Sequence, residues 1–216
     1  MTMGARPATS VAPLEKSVRQ LVRISGAIAG ASEQRVRAIM TDARNDVDPV
    51  AVEEIILQSY LFAGFPRALN AARVWRTVSG RRAPSNDSET DSANLERWKR
   101  RGEKTCAIVY GDMYERLREN IRDLHPALDE WMIVDGYGKV LSRPGVDLKT
   151  REFCVVAACA VAGQQRQLHS HLHGALNAGA QAEELKAVLD ALSDLLDEGE
   201  LSRYFQLLAK VADSEA

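Results

Sequence analysis

Three of the four histidines fall within five residues of the stretch "GQQRQLHSHLHGALNAGA" (163–180). It follows the run "REFCVVAACA" (151–160), which carries an acid and two cysteines. Such residues can bind a metal, support a thiol or move a proton, and the spacing discriminates. At about 100° per residue on a helix, Leu168, Leu172, Ala175 and Leu176 form an apolar stripe. His171 lies on one flank of it, His169 on the other, and His173 farther round toward water, so the three rings do not converge. His169 and His173 have the i, i+4 spacing that can chelate a metal. The glutamate of an HExxH pattern and a third nearby ligand are both missing, so the pair reads as solvated and no metal is expected.

His171 differs because it borders the core. Its best partner is Glu152, which is followed closely by Phe153, Val155, Val156 and Cys159. A carboxylate against such a wall has a raised pKa unless it is paired. An imidazole titrating near neutrality and a tuned carboxylate are suited to moving a proton. The alternative reading is a satisfied boundary histidine, with Glu152 paired to Arg151, Lys149 or another cation at the helix start, where negative charge is favoured. The thiols offer less. Cys154 and Cys159 are five apart and cannot bridge within a regular helix. Cys159 shares a face with Glu152, but no local cation would lower its pKa, so both read as buried packing residues.

The elements that must hold these groups read as helices throughout. Pro13 suits a first turn, with Leu14, Val18, Leu21, Val22, Ser25 and Ile28 at helical spacing. Ser32 can cap a second helix. Asp48 and Pro49 open a third that Gly64 stops, and a fourth restarts at Pro66 and ends at Gly80. The polar segment "RRAPSNDSETDS" (81–92) reads as a linker or mobile loop. One charged helix is expected through Leu95, Trp98, Tyr110, Met113, Leu117 and Ile121. Another is expected from Pro126 to the glycines at 136 and 138. Asp147 opens the helix holding Glu152, and two or three more complete the chain. No β alternation appears, so the fold class is all-α.

The totals bound the setting. The 216 residues suffice for one large domain. A net charge of −2 gives no reason to expect nucleic acid as a partner. The N-terminus lacks the apolar stretch of a signal peptide, and no uninterrupted apolar run is long enough to span a membrane. Three scattered cysteines make no disulfide framework, so a soluble, reduced, cytoplasmic protein is expected. There is also a faint repeat: residues 18–40 lie over 150–172, and each is followed by an acidic helix start, "VEEIILQSY" and "AEELKAVLD". The expectation is a single domain, 1–216, with degenerate repeats over about 14–80 and 148–212 joined by 81–147.

The segment 135–189 resembles the γ-carboxymuconolactone decarboxylase group of the alkylhydroperoxidase D-like superfamily. The resemblance rests on Arg-Glu, an apolar helix, GxxxQLxxH, ALNAGA and an acidic helix start. "EEIILQSYLFAGFPRALNA" (53–71) resembles that family's C-terminal hallmark. The superfamily's peroxidase branch has a glutamate, two cysteines spaced CxxC, then a histidine. Counted from Glu152, the cysteine places hold Gln164 and Gln167, and the histidine place holds His171. Glutamine forms neither thiolate nor disulfide, so the resemblance carries over the scaffold and the Glu/His positions without the peroxidase chemistry. A thiol peroxidase remains the alternative enzyme, through Cys159 or Cys154. A non-enzymatic assembly or ligand-binding protein is the third reading.

The resemblance implies an enzyme that uses no cofactor and decarboxylates a small carboxylated lactone or an analogue. It implies His171 as proton donor and Glu152 as its partner. Arg143 and Arg151 are expected to anchor substrate carboxylates, since guanidinium pairs with them in bidentate fashion. Gln164, Gln167, Tyr60 and Phe65 are expected to line the pocket. The first repeat has Gln20 and Ile39 at the Glu152 and His171 places but keeps Tyr60, Gly64, Phe65 and Pro66. That split suggests a fused pair retaining one site. The family's short members form trimers or hexamers, so a homo-oligomer, most simply a trimer, is implied.

Overall fold

The helix starts and stops written into the first 80 residues are used as expected in the computed structural model, which describes residues 14–214. Pro13 lies outside the described residues. The first four helices are α1 (Lys16–Gly30), α2 (Glu33–Ala43), α3 (Pro49–Ala63) and α4 (Phe65–Ser79). The Ser32 hydroxyl accepts from the Arg35 amide and the Asp48 carboxylate from the Val50 amide, satisfying amides that have no partner within the helix. Gly64 and Gly80 close α3 and α4 at φ of 80° and 68°, backbone that other residues rarely adopt.

The connecting region departs from expectation in three ways. The charged helix is broken in two, α5 (Leu95–Tyr110) and α6 (Tyr114–Leu124), with Gly111 at φ 51° opening a turn of 3₁₀-helix between them. Conversely, α7 (Pro126–Trp131) does not stop at its glycines but runs on through wide π-helical turns, Met132–Leu141. A Cβ on Gly138 would sit 2.1 Å from the Trp98 carbonyl oxygen, and one on Gly102 would sit 2.0 Å from that of Ile133. These two glycines therefore serve a close helix crossing rather than a chain stop. Third, the 81–92 segment is tied down. Asp87 accepts from Arg143 at 2.8 Å, and the buried Glu89 accepts from the Trp98 indole at 2.8 Å and from Arg97 and Arg101.

The last four helices are α8 (Leu148–Val161), α9 (Gln165–Asn177), α10 (Ala182–Asp190) and α11 (Glu198–Ser214). Asp147 caps α8, accepting from the Thr150 amide at 3.0 Å. Each set of four packs alike: its first helix lies on its second and third, and its fourth lies on its second and third. The two sets meet where α1 packs on α8. Small residues permit that approach, since a Cβ on Gly30 would lie 2.6 Å from a Val161 methyl, and the Ser25 hydroxyl donates to the Cys154 carbonyl at 2.7 Å. One continuous apolar core spans both sets. Among the described residues there is no strand, and no helix is long and apolar enough to cross a membrane.

Candidate active site

Helix α8 is apolar on almost every side, and its residues from Thr150 to Ala160 are all buried. Glu152 therefore enters the core with no route to water, at 0 % exposure. Its partner comes from α9, which packs beside α8 and turns His171 inward with Leu168, Leu172 and Ala175. Glu152 Oε2 lies 2.8 Å from His171 Nδ1. The alternative partners Arg151 and Lys149 do not touch it: Lys149 pairs with Glu184, and Arg151 with Glu54.

The pair is enclosed from three directions. Phe62, at the end of α3, sets its ring edge-on to the His171 ring at 5.6 Å between centroids. On the α5 side, a Cβ on Gly174 would fall 2.8 Å from Glu152 Oε2 and 2.6 Å from a Val109 methyl, so glycine is required for α9 to close on α5. Behind the carboxylate stand four neutral groups. Burial pushes the Cys106 and Cys159 thiols up to about 12, and the negative charge of Glu152 adds to that push on both. Burial likewise raises Tyr110 and Tyr137 far above the usual phenol value, with Glu152 contributing to each. None of these four is ionised near neutral pH.

Two features make the pair chemically distinctive. First, Glu152 Oε1 has no hydrogen-bond partner; among the described residues the other such buried side-chain atom is Trp75 Nε1. Most buried polar side-chain atoms are paired, so an orphaned carboxylate oxygen demands a reason. Second, the carboxylate contact takes His171 Nδ1. That fixes the ring's orientation and leaves Nε2 as the nitrogen free of Glu152.

The other expected site residues fare differently. Arg151 and Arg143 are not available to anchor a substrate. Arg151 is fully buried, and its guanidinium donates to Glu54 at 2.9 Å, to Gln58 at 3.3 Å and to the carbonyls of Arg143, Pro144 and Val146. Arg143 forks onto Glu54 and onto Asp87, each at 2.8–2.9 Å for the closest atoms. Gln164 is half-buried and donates to the Phe62 carbonyl at 3.2 Å, whereas Gln167 points to solvent. Tyr60 and Phe65 stack on each other at 4.9 Å, with Phe65 63 % exposed. The aromatic that meets His171 from this segment is Phe62, which the sequence reading passed over. Glu54 and Gln58 were also missed. Their signal was present: two polar residues, i and i+4, on one stripe of α3 among the apolar Ala51, Val52, Ile55 and Ile56.

His169 and His173 are neighbours on the outer face of α9, with rings 4.9 Å apart edge to face. Partial burial first, and then the nearby His173, hold His169 below its ordinary value. His173 is half-buried rather than fully solvated. Among the described residues no three His, Cys, Asp or Glu side chains gather as a metal site.

Residues 126–209 match the carboxymuconolactone decarboxylase family, a span that includes both Glu152 and His171. The chain is 28 % identical over 97 residues to 4-carboxymuconolactone decarboxylase of Acinetobacter baylyi, covering 44 % of this chain and 72 % of that one. It is also 28 % identical over 156 residues to Peroxisomal protein 2 of Schizosaccharomyces pombe, covering 70 % of this chain and 72 % of that protein.

Proposed function

We propose, since residues 126–209 match the carboxymuconolactone decarboxylase family, that the chain is a cofactor-independent decarboxylase, or a related proton-transfer enzyme, acting on a small carboxylated lactone or an analogue. One observation carries the reading: a fully buried carboxylate holds an imidazole at 2.8 Å and keeps its second oxygen unpartnered. A purely structural pair would be expected to satisfy both oxygens.

The chemistry asks little else of the protein. In such a substrate the bond to the carboxylate carbon breaks and carbon dioxide leaves. The bonding electrons move through the adjacent double bond into the lactone carbonyl, giving an oxyanion. The substrate is its own electron sink, and the protein must return one proton to carbon as the carbonyl re-forms. His171 Nε2 delivers that proton in this reading. Glu152 stabilises the charged imidazolium and fixes which nitrogen faces outward. The sulfur alternative is weak on physical grounds, because Cys106, Cys154 and Cys159 are all buried and their thiols are all raised. Free buried thiols also fit a reducing compartment such as the cytoplasm.

The like packing of α1–α4 and α8–α11 supports reading the chain as a fused pair with one retained site, closing a ring as a trimer. Light scattering giving one chain mass at all concentrations would remove that assembly. The activity is tested by carbon dioxide release from a panel of carboxylated lactones. His171→Gln should lower kcat/KM by roughly 10²–10⁴-fold, while replacing all three cysteines with serine should leave turnover in place. Full turnover by His171→Gln on a substrate the wild type converts would refute the assignment.

A further inference from the structure

The outer face of α9, turned away from His171, borders two grooves. One, of about 570 Å³, runs between α9 and α11 and is lined by Arg166, Arg203 and Lys210 with no carboxylate among its lining residues. Among the described residues none of these three cations makes an ion pair, although the chain as a whole has a net charge of −2. Arg203 and Lys210 stand two helical turns apart, about 10 Å along the axis, so the positive potential extends down the groove. The second groove, of about 590 Å³, runs between α9 and the α5–α6 turn opened by Gly111. Its lining combines the apolar Val109, Tyr110, Met113 and Leu117 with Asp112, Asn120, His173 and Asn177. His169 and Ser170 line both grooves, so the two flank the same stretch of α9. Each volume lies in the range of small-molecule sites.

We propose that these two grooves together make one ligand site for a small amphiphilic carboxylate, entered from the face of α9 turned away from His171. The unneutralised cations between α9 and α11 take the anionic head, and the Tyr110, Met113 and Leu117 arm takes an aromatic or short acyl body. A uniformly polar anion would leave the apolar arm unused, and a neutral apolar molecule would leave the cations unused. The cations are exposed, so their contribution is screened by salt and binding is modest. The site does not depend on the decarboxylase reading: its cations and its α9 wall, Arg166, His169 and Ser170, lie on the face of α9 turned away from His171, and only Val109 and Tyr110 are shared with the surroundings of Glu152.

The test uses the full chain, isotope-labelled, with octanoate, octan-1-ol and inorganic phosphate as probes and amide chemical shifts as readout. Octanoate should saturate and move amides in 166–173 and 203–210, while octan-1-ol and phosphate should bind more weakly. The double variant Arg166→Gln/Arg203→Gln should weaken octanoate roughly fivefold to tenfold and leave octan-1-ol unchanged. Met113→Asp, at a side chain 53 % exposed, should weaken octanoate and octan-1-ol but not phosphate. The conservative pair Arg166→Lys/Arg203→Lys should restore most of the octanoate affinity, which separates lost charge from lost fold. Equal octanoate affinity in the glutamine double variant, shifts confined to the Phe62 and Gln164 region, or no binding of octanoate up to its solubility limit would each overturn the proposal.

Discussion

Arg151 and Glu152 are consecutive residues of α8, both fully buried, and they live in opposite electrostatic settings. Arg151 belongs to a closed network in which two arginines, 143 and 151, meet two carboxylates, Glu54 and Asp87. Gln58 completes it by donating to the Arg151 carbonyl at 3.0 Å while its own oxygen accepts from the guanidinium. The positive and negative charges balance and the remaining donors find carbonyls. Glu152 has one partner, a histidine, and an idle oxygen. The closed network fastens the start of α8 to α3, and the open pair is what that fastening aims at α9. A buried group with all its bonds made is costly to disturb and has nothing left to offer a ligand. A buried group with a bond unmade keeps that capacity.

The largest effect should come from opening the closed network. Arg151→Met leaves Glu54 and Gln58 facing a hydrocarbon, and breaking a buried pair from one side costs about 3–5 kcal/mol. For a chain of this size that lowers Tm by about 10 °C, measurable by calorimetry. Arg151→Lys should recover less than half of the loss, because an ammonium cannot span a carboxylate, an amide and three carbonyls as the guanidinium fork does. A drop of under about 1 kcal/mol for Arg151→Met would mean the network is no stronger than a surface ion pair.

The two settings were not equally legible. Glu152 and His171 could be paired from sequence because each carries its own signal: an acid inside an apolar run, and a histidine bordering an apolar stripe. The helix caps at Ser32, Asp48 and Asp147 were legible for the same reason, since a cap is a local bond. The closed network was not, because its members are far apart in the chain: Glu54 meets Arg143 and Arg151, which lie 89 and 97 residues away. From sequence alone, two arginines at a helix start look like solvated charges or substrate anchors. The glycines at 136 and 138 misled for a related reason. Alone in a sequence they read as a stop, and only the partner helix shows that Gly138 makes room for a crossing, while Gly136 meets no neighbouring helix.

A smaller effect is expected at the rim of the network. The hydrogen bond from Arg143 holds the Asp87 carboxyl below its ordinary value, with the Glu89 amide and the Arg143 charge also acting against partial burial. A carboxyl lowered in the folded state stabilises fully above its unfolded value of about 3.9 and loses that contribution as pH falls through the folded value. Asp87→Asn should therefore lower Tm at pH 7, and the gap to wild type should narrow as both are acidified below about pH 4. A gap that stays constant with pH would show that the side chain acts by shape rather than charge.

The smallest change in stability should come from the residue with the most to do. Glu152→Gln keeps the volume, keeps an oxygen or amide against His171, and removes the need to bury a carboxylate with one partner. Loss of a poorly compensated buried charge offsets loss of the charged hydrogen bond, so chemical denaturation should place the variant within about 1 kcal/mol of wild type. The same substitution removes the negative charge that steadies an imidazolium at His171, so turnover in the lactone assay should fall while the fold persists. The contrast with Arg151→Met, one residue away, is then as sharp as it can be made: one substitution costs stability through its contacts, the other costs chemistry with its contacts nearly intact. A Glu152→Gln protein as destabilised as Arg151→Met would mean that the unpartnered oxygen marks no reserve of function, and that both residues of α8 serve the same structural end.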